Sequence, residues 1–147
     1  MIPNLFSKAR IPDEIPLQMQ AAIKKLRRLK NKEECLRCAY DILAKKYRGK
    51  RWNTYTRFFK LFDTNLERIW NRSGFLHCTT LNYLMRILLV KSGFFKNEDL
   101  KLRWSMVWYI SLHQYLKVRI NPKRVINVDL WGKSYGVKFG DYSHGFH

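Results

Sequence analysis

The sequence predicts an α+β fold in which N-terminal helices and one later helix pack on a small antiparallel sheet. Three observations carry this expectation. Apolar residues recur at three- and four-residue spacing from Ile15 to about Lys91, the period of helices with one buried stripe. Further on the period changes to two: Leu116, Val118 and Ile120 alternate with Tyr115, Lys117 and Arg119. A turn, Asn121-Pro122-Lys123, then separates that stretch from a second alternating one at Val125–Trp131. Helices first and strands last is the order of an α+β domain.

Each element follows from its own signals. Residues 1–14 form an irregular lead-in containing Pro3 and Pro12. From Ile15 to about Lys30, Ile15, Met19, Ala22, Ile23, Leu26 and Leu29 make one stripe, with Lys24, Arg27 and Arg28 on another face. Asn31 followed by Glu34 is the pattern of a capping box, and it opens a second helix that runs to about Tyr47, before Gly49. A third helix begins at Thr54 with the stripe Phe58, Phe62, Asn65/Leu66 and Ile69, and ends at Arg72-Ser73-Gly74. A fourth runs from Cys78 to about Lys91, with Leu81, Leu84, Met85 and Leu88 in register, and stops at Ser92-Gly93. Residues 103–120 are rich in aromatic and β-branched side chains. Gly132, Gly136 and Gly140 punctuate the tail.

The 147 residues fit one domain, 1–147, with a helical N-terminal part at 1–70 and the remainder at 71–147. A hydrophobic content of 46% supplies a core without disulfides or metal. The net charge of +18 is spread along the chain: 17 Lys/Arg against 7 Asp/Glu in residues 1–70, and 12 against 4 in 71–147. Such a surface attracts polyanions, so nucleic acid is a candidate partner. Trp104, Trp108 and Tyr109 could supply a base-stacking platform, although a sheet core is the commoner use of such residues.

Three cysteines, an odd count, argue against a secreted disulfide framework. The opening Met1-Ile2-Pro3-Asn4 lacks the pattern of a signal peptide, and the longest apolar run, Ile87–Val90, is far too short to span a bilayer. A reducing, cytoplasmic setting is expected. Cys35 and Cys38 have the spacing of a redox or half-zinc motif, but they lie inside a helix with no second pair. His77, His144 and His147 show no ligand spacing, and no phosphate loop or dinucleotide fingerprint is present. No metal and no cofactor is therefore expected.

Cys78, His113 and Asp129 stand out as a constellation. Cys78 falls at a helix start, where partial positive charge and free N–H groups favour a thiolate and offer a donor to an oxyanion. His113 could take the thiol proton and return it to a leaving group, and Asp129 could orient the imidazole. If residues 121–123 form a hairpin loop, 113 stands opposite 131 and 129 opposite 115. His113 and Asp129 are then diagonal neighbours on one sheet face, about 7–8 Å apart at the backbone. The alternative is plain: Cys78 shares a face with Leu81, Met85 and Leu88, so it also fits as a core thiol.

The segment Ser73-Gly74-Phe75-Leu76-His77-Cys78-Thr79-Thr80, with the helix after it ending in Val90-Lys91-Ser92-Gly93-Phe94, resembles the nucleophile helix of transglutaminase-like cysteine enzymes. His113-Gln114-Tyr115-Leu116-Lys117-Val118 resembles their His strand, with Gln114 where many members carry an aromatic. Asn127-Val128-Asp129-Leu130-Trp131 resembles their Asp strand, followed by a Gly-rich tail. The resemblance covers about residues 66–146. It implies a papain-like core, helix on antiparallel sheet, and thiol chemistry on acyl groups. An upstream side chain often completes the oxyanion hole in such sites, and Asn71 and Trp70 are the candidates by position. The expected function is cysteine acyl transfer on a peptide or amide bond, to water or an amine. Two alternatives on the same fold are a non-catalytic basic nucleic-acid-binding protein and a scaffold that binds peptides in a degenerate cleft.

Overall fold

A computed structural model describes residues 8–50, 53, 56–57 and 63–145. The order of elements is α1 (Leu17–Arg27), α2 (Lys32–Lys46), β1 (Tyr47–Arg48), α3 (Leu66–Asn71), β2 (Gly74–Phe75), α4 (Cys78–Lys91), β3 (Leu100–Val107), β4 (Ser111–Asn121), β5 (Arg124–Val128) and α5 (Leu130–Lys133). This is the mixed α+β class, with a small antiparallel sheet ordered β3-β4-β5 and a short parallel pair, β1-β2.

Local chemistry sets the helix boundaries. Pro16 stands at the N-cap of α1, where its missing N–H costs nothing. Asn31 caps α2 by accepting the Glu34 N–H at 2.9 Å, and Glu34 Oε2 accepts in return from Lys30 N–H. The third predicted helix is not continuous, since residues 63–65 lie outside any helix. Asn65 is not part of an apolar stripe but the N-cap of α3, accepting the Arg68 N–H at 2.8 Å. The proposed start at Thr54 and the stripe residues Phe58 and Phe62 lie outside the described residues. At the end of α4, Gly93 follows the Ser92 C-cap at φ +86°, a conformation that glycine adopts without penalty.

α4 is the axis of the molecule. Leu81, Leu84, Met85, Ile87, Leu88 and Leu89 are all buried, packed between α1 and α2 on one side and the sheet on the other. Even Arg86 is fully buried. Its guanidinium donates to the Ala9 carbonyl at 2.8 Å and to Asn97 Oδ1 at 2.9 Å, and so fastens the N-terminal lead-in across the helix. Met19, Ile23 and Leu26 of α1 and Leu36, Ala39 and Leu43 of α2 complete the helical side, and Leu100, Leu116, Val118 and Val128 the sheet side. No helix among the described residues is long and apolar enough to cross a membrane.

The β4–β5 register places Leu116 opposite Val128, Lys117 opposite Asn127 and Val118 opposite Ile126. This is the register that a three-residue loop at 121–123 would give, but the turn differs. The closing pair is Asn121↔Arg124, so only Pro122 and Lys123 are in the loop, and an irregularity between Arg119 and Asn121 absorbs the extra residue. β5 also ends at Val128, so Asp129 is not on a strand. Residues 103–120 supply two strands, β3 and β4. They contain a hairpin whose turn, Trp108-Tyr109-Ile110, has none of the usual turn residues.

Candidate active site

Cys78 is the first residue of α4, and His77 is its N-cap. The His77 side chain makes no capping bond, unlike Asn31 of α2 and Asn65 of α3. The His77 ring turns instead to the Arg57 carbonyl at 3.1 Å and packs edge-on against Phe75. The first turn of α4 thus brings its N–H groups and dipole to the Cys78 backbone without a cap from the His77 side chain. Cys78 is half-buried, while Leu81, Met85 and Leu88 are fully buried. The thiol therefore sits at the margin of the core, not within it.

His113 is buried on β4, and its Nε2 lies 2.7 Å from Asp129 Oδ2. Cys78 is near enough to act on the same ring, and favours its charged form. Burial is the largest single influence on His113 and disfavours its charged form. Hydrogen bonding to Asp129 and Cys78, together with their charges, outweighs burial and raises the imidazole from 6.5 to about 9. The ring is further walled by the Trp131 indole, with centroids 5.0 Å apart.

Asp129 is the N-cap of α5, and its carboxylate serves three donors. Oδ1 accepts the Gly132 N–H at 2.7 Å; Oδ2 accepts the Ser143 N–H at 2.7 Å and faces His113. Burial alone would raise this carboxyl. Hydrogen bonding and charge from His113, and the two backbone donors, hold it below the usual carboxylate range. The expected orienter is therefore placed not by a strand but by the junction where β5 turns into α5.

Residues that sequence reasoning passed over hold this arrangement in place. Asn82, one turn after Cys78, donates from Nδ2 to the Gln114 carbonyl at 3.1 Å and to Gln114 Oε1 at 3.2 Å. All of these groups are buried, so they tie α4 to the residue next to His113. A polar residue on the buried side of an apolar helix was the available signal. Ser143 fixes the tail: besides its N–H on Asp129, its carbonyl accepts the Ser105 hydroxyl at 2.6 Å. Tyr142 stacks on Tyr115 at 4.2 Å. A glycine is required at 132, because a methyl group there would overlap the Ser143 hydroxyl and stand 2.7 Å from Asp129 Oδ2.

The two upstream candidates lie elsewhere in character. Trp70 is buried in the core cluster with Lys46 Nζ 5.3 Å from its ring centre, and Asn71 is exposed at the end of α3. Cys35 is buried in α2, where burial pushes its thiol up, and Cys38 is half-buried on the same helix. Among the described residues no group of three His, Cys, Asp or Glu could hold a metal ion. Trp104, Trp108 and Tyr109 are exposed and do not form a sheet core.

No family model, curated protein or solved structure matches this chain.

Proposed function

We infer that the chain is a transglutaminase-like cysteine enzyme of papain-like architecture, and that it transfers the acyl group of a peptide or amide to water or an amine. The observation that carries this reading is the series Cys78–His113–Asp129, with a buried imidazole between a helix-borne thiol and a carboxylate that three donors fix. A core thiol has no need of a protonated imidazole, and an imidazole raised to about 9 carries its proton at neutral pH.

The chemistry balances as follows. The Cys78 thiolate attacks the carbonyl carbon, a C–S bond forms, and the developing oxyanion is met by the Cys78 N–H at the α4 terminus. His113 gives its proton to the leaving nitrogen as the C–N bond breaks, leaving a thioester and a neutral imidazole. Water or an amine then loses a proton to His113 while attacking the thioester. The sulfur leaves as thiolate beside a reformed imidazolium. Asp129 remains ionised throughout and holds the ring. A reducing, cytoplasmic setting belongs to the same reading, since this thiol must stay reduced to act.

An activated ester tests it. Incubation with p-nitrophenyl acetate should release p-nitrophenol and leave one acetyl group on Cys78, seen by mass spectrometry, that water or an added amine removes. Cys78→Ala should abolish both. Acetylation scattered over lysines with Cys78 unmodified would exclude an acyl-enzyme.

A further inference from the structure

We propose that the β3–β4 hairpin is a membrane-docking element, whose apolar tip seats in the headgroup–acyl boundary of an anionic phospholipid surface. Residues 104–112 contain no charged side chain in a chain of net charge +18. Their exposed side chains form one continuous apolar end: Trp108 is 48% exposed, Tyr109 64%, Ile110 86% and Leu112 69%, with Trp104 and Met106 beside them. Contiguous exposed apolar surface of this kind marks an interaction site.

The turn itself points the same way. Trp108 and Tyr109 both have positive φ, 55° and 56°, and the turn closes through the Ile110 N–H on the Val107 carbonyl. Asn-Gly adopts this geometry freely, whereas residues with large side chains adopt it at a cost. The turn therefore holds two large aromatic residues at its apex against its own conformational preference. Trp and Tyr are the residues that partition to the membrane–water interface, and the aliphatic Ile110 that follows them is suited to acyl chains.

Cations stand behind the tip on the same hairpin. Arg103 lies four residues from Val107, about 13 Å back along the strand at the usual rise. Lys101 and Lys117 face each other across the ladder, a like-charge pair that an external anion would relieve. Lys101 lies about 20 Å behind Val107 at the same rise, so the apolar tip leads and cations follow about 13–20 Å behind it, an order complementary to an anionic bilayer. A second copy would bring a further +18 to the same contact. Nucleic acid would leave Ile110 and Leu112, which have no π face, without a role. The proposal does not rest on the catalytic reading.

The test is sedimentation of the full chain with vesicles of phosphatidylcholine alone and with about one-third phosphatidylserine. Binding is expected to the anionic vesicles and to be weak on the neutral ones. Ile110→Asp and Leu112→Asp should each weaken it about tenfold or more, the scale of one buried aliphatic side chain. Because both residues are exposed, their melting temperatures should match the parent. Lys101→Glu should weaken binding to anionic vesicles only. Vesicle binding unchanged in both Asp variants, or no vesicle binding at all, would overturn the proposal. So would a concentration-dependent dimer, or duplex binding, that Ile110→Asp abolishes, since the face would then belong to a second copy or to nucleic acid.

Discussion

Nε2 of His113 and Oδ2 of Asp129 are 2.7 Å apart in a buried site, across 16 residues of sequence. This contact makes stability depend on pH in a direction that can be worked out. His113 is raised to about 9 in the folded protein from 6.5, so its contribution is complete below about 6.5 and is lost as pH rises through about 9. Asp129 is depressed, so its contribution is present above its ordinary value of 3.8 and is lost only as pH falls through its lower folded value. Both describe one ion pair and count once. The melting temperature should be level between about pH 5 and 6.5 and fall from there to pH 9. His113→Gln should flatten that fall. A parent profile level through pH 9 would mean that His113 is neutral in the folded protein.

Gly132→Ala should disturb the site without removing any of its three groups. Alanine is ordinarily the better helix residue, which would predict stabilisation. Here the added methyl meets the Ser143 hydroxyl and the Asp129 carboxylate. The hydroxyl can rotate away, but the carboxylate is fixed by His113, Gly132 N–H and Ser143 N–H. The expected result is a loss of about 1–3 kcal/mol in denaturant unfolding, the usual range for overpacking. Slower alkylation of Cys78 should accompany it. Unchanged stability with unchanged alkylation would show that Asp129 does not need its present position.

Part of this arrangement was legible in the sequence. Period-two alternation on both sides of Asn121-Pro122-Lys123 specifies the β4–β5 register, because a one-residue slip would turn Leu116 and Val118 away from the core. The break at Ser73-Gly74 and the apolar spacing after Cys78 locate the helix start that carries the thiol. Other features leave no local trace. The Trp108-Tyr109-Ile110 turn is invisible to turn chemistry, since its residues favour strands. Val125–Trp131 alternates throughout, yet the chain leaves the sheet at Val128. Asp129 can cap α5 through the Gly132 N–H, a local competition that alternation does not report. The roles of Ser143 and Gln114 depend on which segments meet, and the tail reaches Asp129 only in the folded chain.

Alkylation is the most direct test of the claim that Cys78 is a nucleophile poised by His113. The folded protein is treated with iodoacetamide at neutral pH, and the labelling rates of Cys35, Cys38 and Cys78 are read by peptide mass spectrometry. Cys78 should react about tenfold or more faster than either of the others, because the helix terminus and the His113 ring would both favour attack by its sulfur. His113→Ala should remove most of that advantage while leaving Cys35 and Cys38 unchanged. Equal rates at all three cysteines, or a Cys78 that reacts only after unfolding, would contradict the account and return Cys78 to the core.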